Sequence, residues 1–386
     1  MSATKAILFY STFFILYGAI NLYIFLGSRR ALLPGWGASK GHLLLFLLFS
    51  ASFILGRILE NYWISSVSQV LIWIGSFWFA AMLYLFLGFL LVDVLRGGWA
   101  VLGNALPLKA ERLARGAVGL ATSILIVVGY LNALNPRLKT LKLSLPGANS
   151  HTQGMEILVA SDIHLGTIVG EKRLARLCKA VEQLKPDLVL LPGDILDEDP
   201  RTVMRDSVGD MLRSLRAEHG VYAVTGNHEY IGGVDRACRY LEEHGIRVLR
   251  DQAVLIGGLF YLVGREDRSM SRFTGKDRKS LSELLALLDK KIPVILMDHQ
   301  PLQLDEVAQA GVAFQLSGHT HHGQLWPLNL VTSLIYEVSW GYLKKGDTQF
   351  YVSSGYGTWG PPVRIGNHPE MVRIVLSLDE QGQPPP

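Results

Sequence analysis

Four stretches within the first 135 residues carry no Asp, Glu, Lys or Arg: Ala6 to Gly27, Gly41 to Gly56, Ser65 to Val92 and Gly116 to Asn135. Each is near the ~20 residues that a helix needs to cross the hydrocarbon core of a bilayer. They predict an all-α membrane domain over residues 1–135, with transmembrane helices at about 6–27, 41–59, 67–92 and 116–135. The second run is the shortest, so a re-entrant or tilted segment is the alternative there. The first run has no basic segment before it beyond Lys5 and no evident small-x-small cleavage site, which favours a retained helix over a signal peptide. Trp63, Trp73, Trp78 and Trp99 suit helix contacts and interfacial anchoring. No buried pair of ionisable residues is evident in the runs, so anchoring is expected rather than transport.

The remainder has an ordinary soluble mixture, and the mean hydropathy of +0.26 averages two unlike halves. The net charge of +4 is modest, and no Lys/Arg block is interleaved with aromatics, which argues against a nucleic-acid partner. Cys178 and Cys238 fall in helix-like stretches without a Cys-x-x-Cys spacing and read as packed apolar side chains. Lys and Arg favour the first and third connections (Arg29, Arg30, Lys40; Arg96, Lys109, Arg112, Arg115) over the N-terminus, the second connection and the segment after the last run (Lys5; Arg57; Arg137, Lys139, Lys142). That small excess puts the first and third connections in the cytoplasm, and the C-terminal domain outside.

Residues 136–153, with Pro136, Pro146 and Gly147, read as a short linker or edge strand; a domain follows over 154–380, then a tail, 381–386. Such a short connection keeps the domain near the bilayer and favours lipid-linked substrates. Within the domain, five apolar runs read as strands that end in metal-type side chains. Leu158 to Val159 leads to Asp162 and His164; Leu188 to Leu191 to Gly193-Asp194; Val221 to Val224 to Gly226-Asn227-His228-Glu229. Val294 to Met297 leads to Asp298-His299, and Phe314 to Leu316 to Gly318-His319-Thr320-His321-His322. In open α/β sheets ligands bind at the carboxyl ends of the strands. Carboxylate, imidazole and amide donors suit Mn, Fe or Zn. Helical spacing over Glu171–Leu184, Val203–Leu215, Val234–His244 and Ser280–Leu288 alternates with the strands and predicts parallel pairing, while Ile246–Val263 reads as short strands turning at Gly257-Gly258.

At these residues the chain resembles the calcineurin-like metallophosphoesterase superfamily, whose blocks are Asp-x-His, Gly-Asp-x-x-Asp, Gly-Asn-His-Asp/Glu, a lone His and Gly-His-x-His. The resemblance covers about residues 153–378, and Gly318 to Gln324 with Ser354 to Pro362 is similar to the membrane-associated or exported bacterial branch. It implies a two-sheet α/β sandwich holding two divalent metal ions that clamp a phosphoryl group and activate a water. Carried over block by block, Asp162, His164 and His321 would hold the first ion, Asp194 would bridge, and Asn227, His299 and His319 would hold the second. His228 would stand beside the scissile group as a charge stabiliser or general acid. Asp197 would orient a ligand or cap a turn, Glu229 would support the ligands from behind, and His322 is a loop residue or an extra site residue. Arg265, Arg268 and Arg364 are candidates for a substrate phosphate, since guanidinium binds phosphate bidentately; a solvated charged turn is the alternative for the first two. His42, His151, His219 and His244 fit no pattern and read as interface or surface residues.

The expected function is thus a membrane-anchored metal-dependent phosphoesterase acting on a phosphodiester, phosphomonoester or pyrophosphate. Family analogy adds a nucleotide-lipid pyrophosphohydrolase of the UDP-diacylglucosamine type. A catalytically silent membrane receptor or scaffold is the non-enzyme alternative, and it is disfavoured because every ligand position is filled.

Overall fold

The computed structural model describes residues 3–32, 34–37, 39–146, 154–197, 199–205 and 208–379, and divides into two compact units, residues 1–131 with 360–363 and residues 132–359 with 364–386. His151 and the expected tail 381–386 lie outside the described residues.

The first unit is helical: α1 (Ala3–Ala31), the single turn α2 (Pro34–Gly37), α3 (Lys40–Tyr62), α4 (Ser66–Val101) and α5 (Leu108–Ala133). The four long helices are all long and apolar enough to cross a membrane. Their starts follow from local chemistry. The Ser39 hydroxyl accepts from the His42 N–H at α3, and Ser65 and Ser68 satisfy each other's backbone N–H groups at α4. A Cβ on Gly75 would lie 2.2 Å from the Phe53 nitrogen, and one on Gly56 2.8 Å from that of Ile72. Those two glycines let α3 and α4 meet backbone to backbone, the close approach that small residues permit between membrane helices.

Just outside the charge-free runs, Arg115 is 1% exposed and pairs with Asp93 at 2.5 Å and Glu111 at 3.0 Å. These pairs form where the charge-free runs end, because a buried guanidinium is tolerated only with carboxylate partners. His42 is likewise buried, between Ser28 Oγ and the Gly37 carbonyl.

The second unit holds β1 (Arg137–Pro146), β2 (Met155–Val159), β3 (Leu188–Leu191), β4 (Val221–Ala223), β5 (Arg247–Val248), β6 (Gln252–Ile256), β7 (Phe260–Gly264), β8 (Val294–Met297), β9 (Phe314–Ser317), β10 (Gly341–Lys345), β11 (Thr348–Val352) and β12 (Glu370–Asp379). They make two six-stranded mixed sheets, in the orders β1-β12-β2-β3-β4-β5 and β10-β11-β9-β8-β7-β6. β2 to β5 run parallel, as do β7, β8, β9 and β11. The part of residues 136–153 that is described is no free linker: β1 pairs in parallel with β12 over all ten residues.

Alternation explains how the sheets stack. Met155, Ile157 and Val159 of one sheet share a buried cluster with Ile295, Met297, Phe314 and Leu316 of the other, every second residue along each strand. Side chains of period two point to one face, so the two inner faces form a common core. The outer face of the second sheet, Leu296 and Phe350, is closed by α11 (Leu281–Leu285) and α12 (Leu304–Gln309). Around the sheets lie α6 (Glu171–Leu184), α7 (Pro200–Arg205), α8 (Asn227–Gly232), α9 (Val234–Glu243), α10 (Ser269–Thr274) and α13 (Leu328–Ile335). The helix expected over Val203–Leu215 is instead split into α7 and a 3-10 segment, Val208–Ser214.

Candidate metal centre

The seven candidate ligands follow β2, β3, β4, β8 and β9, at the carboxyl ends of strands from both sheets. Hydrogen bonding continues past the strands and fixes the loops: Asp162 N donates to the Gly193 carbonyl, His164 N to that of Asp194, and Gly318 N to that of His299. Five of the seven are held at positive φ: Asp162 (55°), His164 (52°), Asp194 (51°), His319 (71°) and His321 (45°). A non-glycine residue there costs of order 1–3 kcal/mol and persists only where its surroundings over-determine it, which is common at functional sites. The strain turns successive side chains inward from short loops.

Among the described residues, three groups each bring their donor atoms within 4.8 Å of one another: Asp162, His164 and His321; Asp194, His299 and His319; and His164, Asp194 and His228. Asp194 Oδ2 stands 3.1 Å from His299 Nε2 and 3.9 Å from His164 Nε2, between the first two groups. His164 Nε2 and His321 Nε2 face each other at 3.0 Å, a separation that suits two ligands of one ion with bonds of ~2.1 Å. Among the described residues, the buried Asn227 Oδ1 and His164 Nδ1 have no hydrogen-bond partner. Buried polar atoms are almost always satisfied, so this donor set fits divalent cations.

Charge is distributed to match. Burial pushes His164 down to about 3, aided by His228, and His319 down to about 4, aided by His299. Burial, with the Arg364 guanidinium, also holds His321 well below the ordinary value, so these three rings are neutral and able to ligate. Burial pushes Asp162 up to about 6. For Asp194 burial acts upward, but His299 and His228 outweigh it and hold the carboxylate well below its usual range. His299 is raised well above its ordinary value, Asp194 overcoming the burial that would lower it. Its Nδ1 is fixed by the Pro192 carbonyl at 2.8 Å, which leaves Nε2 aimed at the centre.

Supporting residues fall around this set. His228 points Nδ1 at Asp197 Oδ1, 3.3 Å away, and its backbone N–H donates to Asp194 Oδ1. Glu229 accepts from the backbone N–H groups of Asp194, Ile195, Leu196 and Gly226, clamping the Asp194 turn; burial and the Asp194 charge push it up to about 7 against those donors. His322 bonds Ser339 Oγ and belongs to none of the donor groups.

The three arginines are not at the cavity. Arg265 pairs with Asp298 at 3.3 Å, Arg268 bonds Gln303, and Arg364 is 1% exposed, donating to carbonyls of His321, Ser354, Gly355 and Gly357. Each guanidinium meets a partner set from its own domain, which makes it a brace. Sequence reasoning missed three contributors. Ser161 donates to Asp162, and Asn367 holds the His321 and His322 carbonyls. α13 walls a cavity of about 460 Å³ that opens over the ligands, with Ile231 and Trp359. For Ser161 and Asn367 no signal in the sequence was available; for α13 the signal was an uncharged segment of helical period.

A calcineurin-like phosphoesterase family model matches residues 155–323. The chain is 34% identical over 224 residues to an uncharacterized metallophosphoesterase of Aquifex aeolicus, covering 58% of this chain and 85% of that one. The chain belongs to the calcineurin-like metallophosphoesterases. It is also 32% identical over 286 residues to a bovine transmembrane protein with a metallophosphoesterase domain, covering 69% of this chain and 64% of that relative. A metallophosphoesterase hydrolyses phosphoester bonds using divalent metal, and the two-sheet architecture and donor groups described above are in keeping with that membership.

Proposed function

We propose that this metallophosphoesterase is a dinuclear, membrane-anchored hydrolase of phosphoester bonds. The observation that carries the reading is that Asp194, grouped with His299 and His319, also reaches toward His164 of the group Asp162, His164 and His321. When bound, a pair of divalent ions supplies Lewis acidity toward phosphoryl oxygens and makes a nearby water more acidic. The chain's own part is to hold and protonate. Asp162, His164 and His321 would form one seat, and Asn227, His299 and His319 the other, with Asp194 placed to serve both. Asn227 would contribute a neutral oxygen, which limits the negative charge around the ions.

His228 lines the cavity beside the ligands, and Asp197 orients its ring through Nδ1, leaving Nε2 for a proton delivered to the leaving oxygen. The Lys/Arg bias supports a catalytic unit outside the cytoplasm, on the outer face of a bacterial inner or plasma membrane, where lipid-linked phosphoesters or pyrophosphates are accessible substrates. Reporters fused after Pro386 test that side, and signal from a cytoplasm-only reporter reverses it. Asp194→Ala and Asn227→Ala are each expected to lower turnover of an aryl phosphodiester by at least ~10³-fold, since each removes charge stabilisation realised in the transition state. Full activity in either variant sinks the proposal.

A further inference from the structure

α13, Leu-Asn-Leu-Val-Thr-Ser-Leu-Ile, has no buried residue and carries its apolar side chains at the surface. Its hydroxyls are satisfied by its own backbone, Thr332 and Ser333 both donating to the Asn329 carbonyl. Its apolar members face out, with Leu330 58%, Val331 50%, Leu334 88% and Ile335 62% exposed. Solvent-facing helices normally show the opposite polarity, so an outward apolar stripe marks something that covers it.

What covers part of it is indicated by continuity with the catalytic cavity. Leu328, Val331 and Ile335, spaced three and four apart, line the same cavity as His164, Asp194 and His319. The helix is mounted on the ligand loop, because Gly323, two residues past His321, leaves no room for a Cβ, which would sit 2.3 Å from the Asn329 nitrogen. Across the opening stand Ile231 and Trp359, 47% and 58% exposed. The cavity has a floor of metal-type ligands and walls of hydrocarbon, within the ~300–1,000 Å³ usual for small-molecule sites.

The geometry points to an amphipathic phosphoester as ligand: the phosphoryl group lies over the ligand set and a hydrocarbon chain lies along Leu328, Val331 and Ile335. The headgroup half of this assignment rests on the phosphoesterase reading; the apolar half rests on α13. A solvent-facing wall removes about half the water that full burial would, so each methylene in contact should tighten binding about twofold.

The test uses the full chain in lipid nanodiscs loaded with Mn2+, and titrates methylphosphonate and hexylphosphonate at known free concentrations. Hexylphosphonate is expected to bind roughly 30-fold more tightly, from five extra methylenes at about twofold each. Val331→Asn/Ile335→Asn should erase most of that ratio, while Leu330→Asn/Leu334→Asn, on the outward side, should keep it. Equal affinity for the two phosphonates overturns the subsite. So does a chain-length gain lost only in the outward pair, which would make the stripe a bilayer-docking face. Turnover of an aryl phosphodiester is read separately. No turnover with a persisting chain-length gain sensitive to Val331 and Ile335 refutes the phosphoesterase reading and leaves the apolar subsite standing.

Discussion

Arg364 separates a brace from a substrate contact, and Arg364→Lys is the perturbation that decides. The guanidinium makes six hydrogen bonds: Nη1 to the Ser354 carbonyl (2.6 Å), the His321 carbonyl (3.2 Å) and Asn367 Oδ1 (3.2 Å), and Nη2 to the carbonyls of Gly357 (2.7 Å) and Gly355 (3.2 Å) and to His321 Nδ1 (3.1 Å). The two Nη groups share four N–H among these six acceptors, and an ammonium has three on a single tetrahedral nitrogen that cannot span both sides of the fork, so about three of the contacts are lost. Each is worth about 1 kcal/mol net, and more where a buried carbonyl is left unpartnered, for a total of about 3–5 kcal/mol. Burial also pushes the guanidinium down to about 9, still protonated at neutral pH. Lysine starts from a lower intrinsic value and would be driven toward its neutral form there. At ~2–4 °C per kcal/mol for a domain of this size, the expected drop in Tm is ~6–20 °C. Thermal unfolding of the full chain in detergent, followed by near-UV circular dichroism, reads it. Mn2+ titration of the same variant should show weaker binding, because the His321 loop loses its anchor. A Tm within ~2 °C of the parent, with unchanged metal affinity and a raised KM alone, would refute the brace and restore Arg364 as a phosphate contact.

Three further outcomes follow from the same geometry. Gly318→Ala should abolish metal binding, because the new methyl would fall 2.2 Å from Asp162 Oδ2 and 1.9 Å from Ser161 Oγ; Mn2+ affinity equal to the parent's counts against that cradle. His299, raised well above its ordinary value by Asp194 once burial is overcome, contributes stability that is complete below about pH 6.5 and is lost as pH rises through its folded value. Metal-free chain should therefore lose Tm on the alkaline side of neutrality, whereas Mn2+ should bind more tightly there as His299 gives up its proton. A metal-free Tm that is flat from pH 6.5 upward would sink this assignment. Chelator treatment should remove aryl phosphodiesterase activity, and Mn2+ should restore it; activity that survives exhaustive chelation is incompatible with the proposed centre.

The candidate donors were legible because each sits just past an apolar run, and a strand's end is a fixed place in an α/β sheet. Asp162, His164, Asp194 and Asn227 follow strands of one sheet, and His299, His319 and His321 follow strands of the other, all at carboxyl ends. The positive φ values of five of them were not legible, since nothing in an Asp or His announces a left-handed backbone except the tertiary contacts that force it. The arginines show a different limit. A guanidinium after a strand has equal reason to meet a phosphate or a neighbour's carbonyls, and only packing places Arg265 on Asp298 and Arg364 among the loop carbonyls. α13 shows a third, because the helical period reads the same whichever face is turned inward.

The ten-residue pairing of β1 with β12 sets where this protein can be cut. Cleavage within residues 147–153 leaves β1 covalently joined to the helices and β12 joined to the catalytic unit, with the strands still in register from Arg137–Glu370 to Pro146–Asp379. The two pieces should therefore behave as a split protein that stays associated through a shared sheet. A catalytic fragment expressed from residue 154 onward would present β12 as a long bare edge, open to pairing with a second copy.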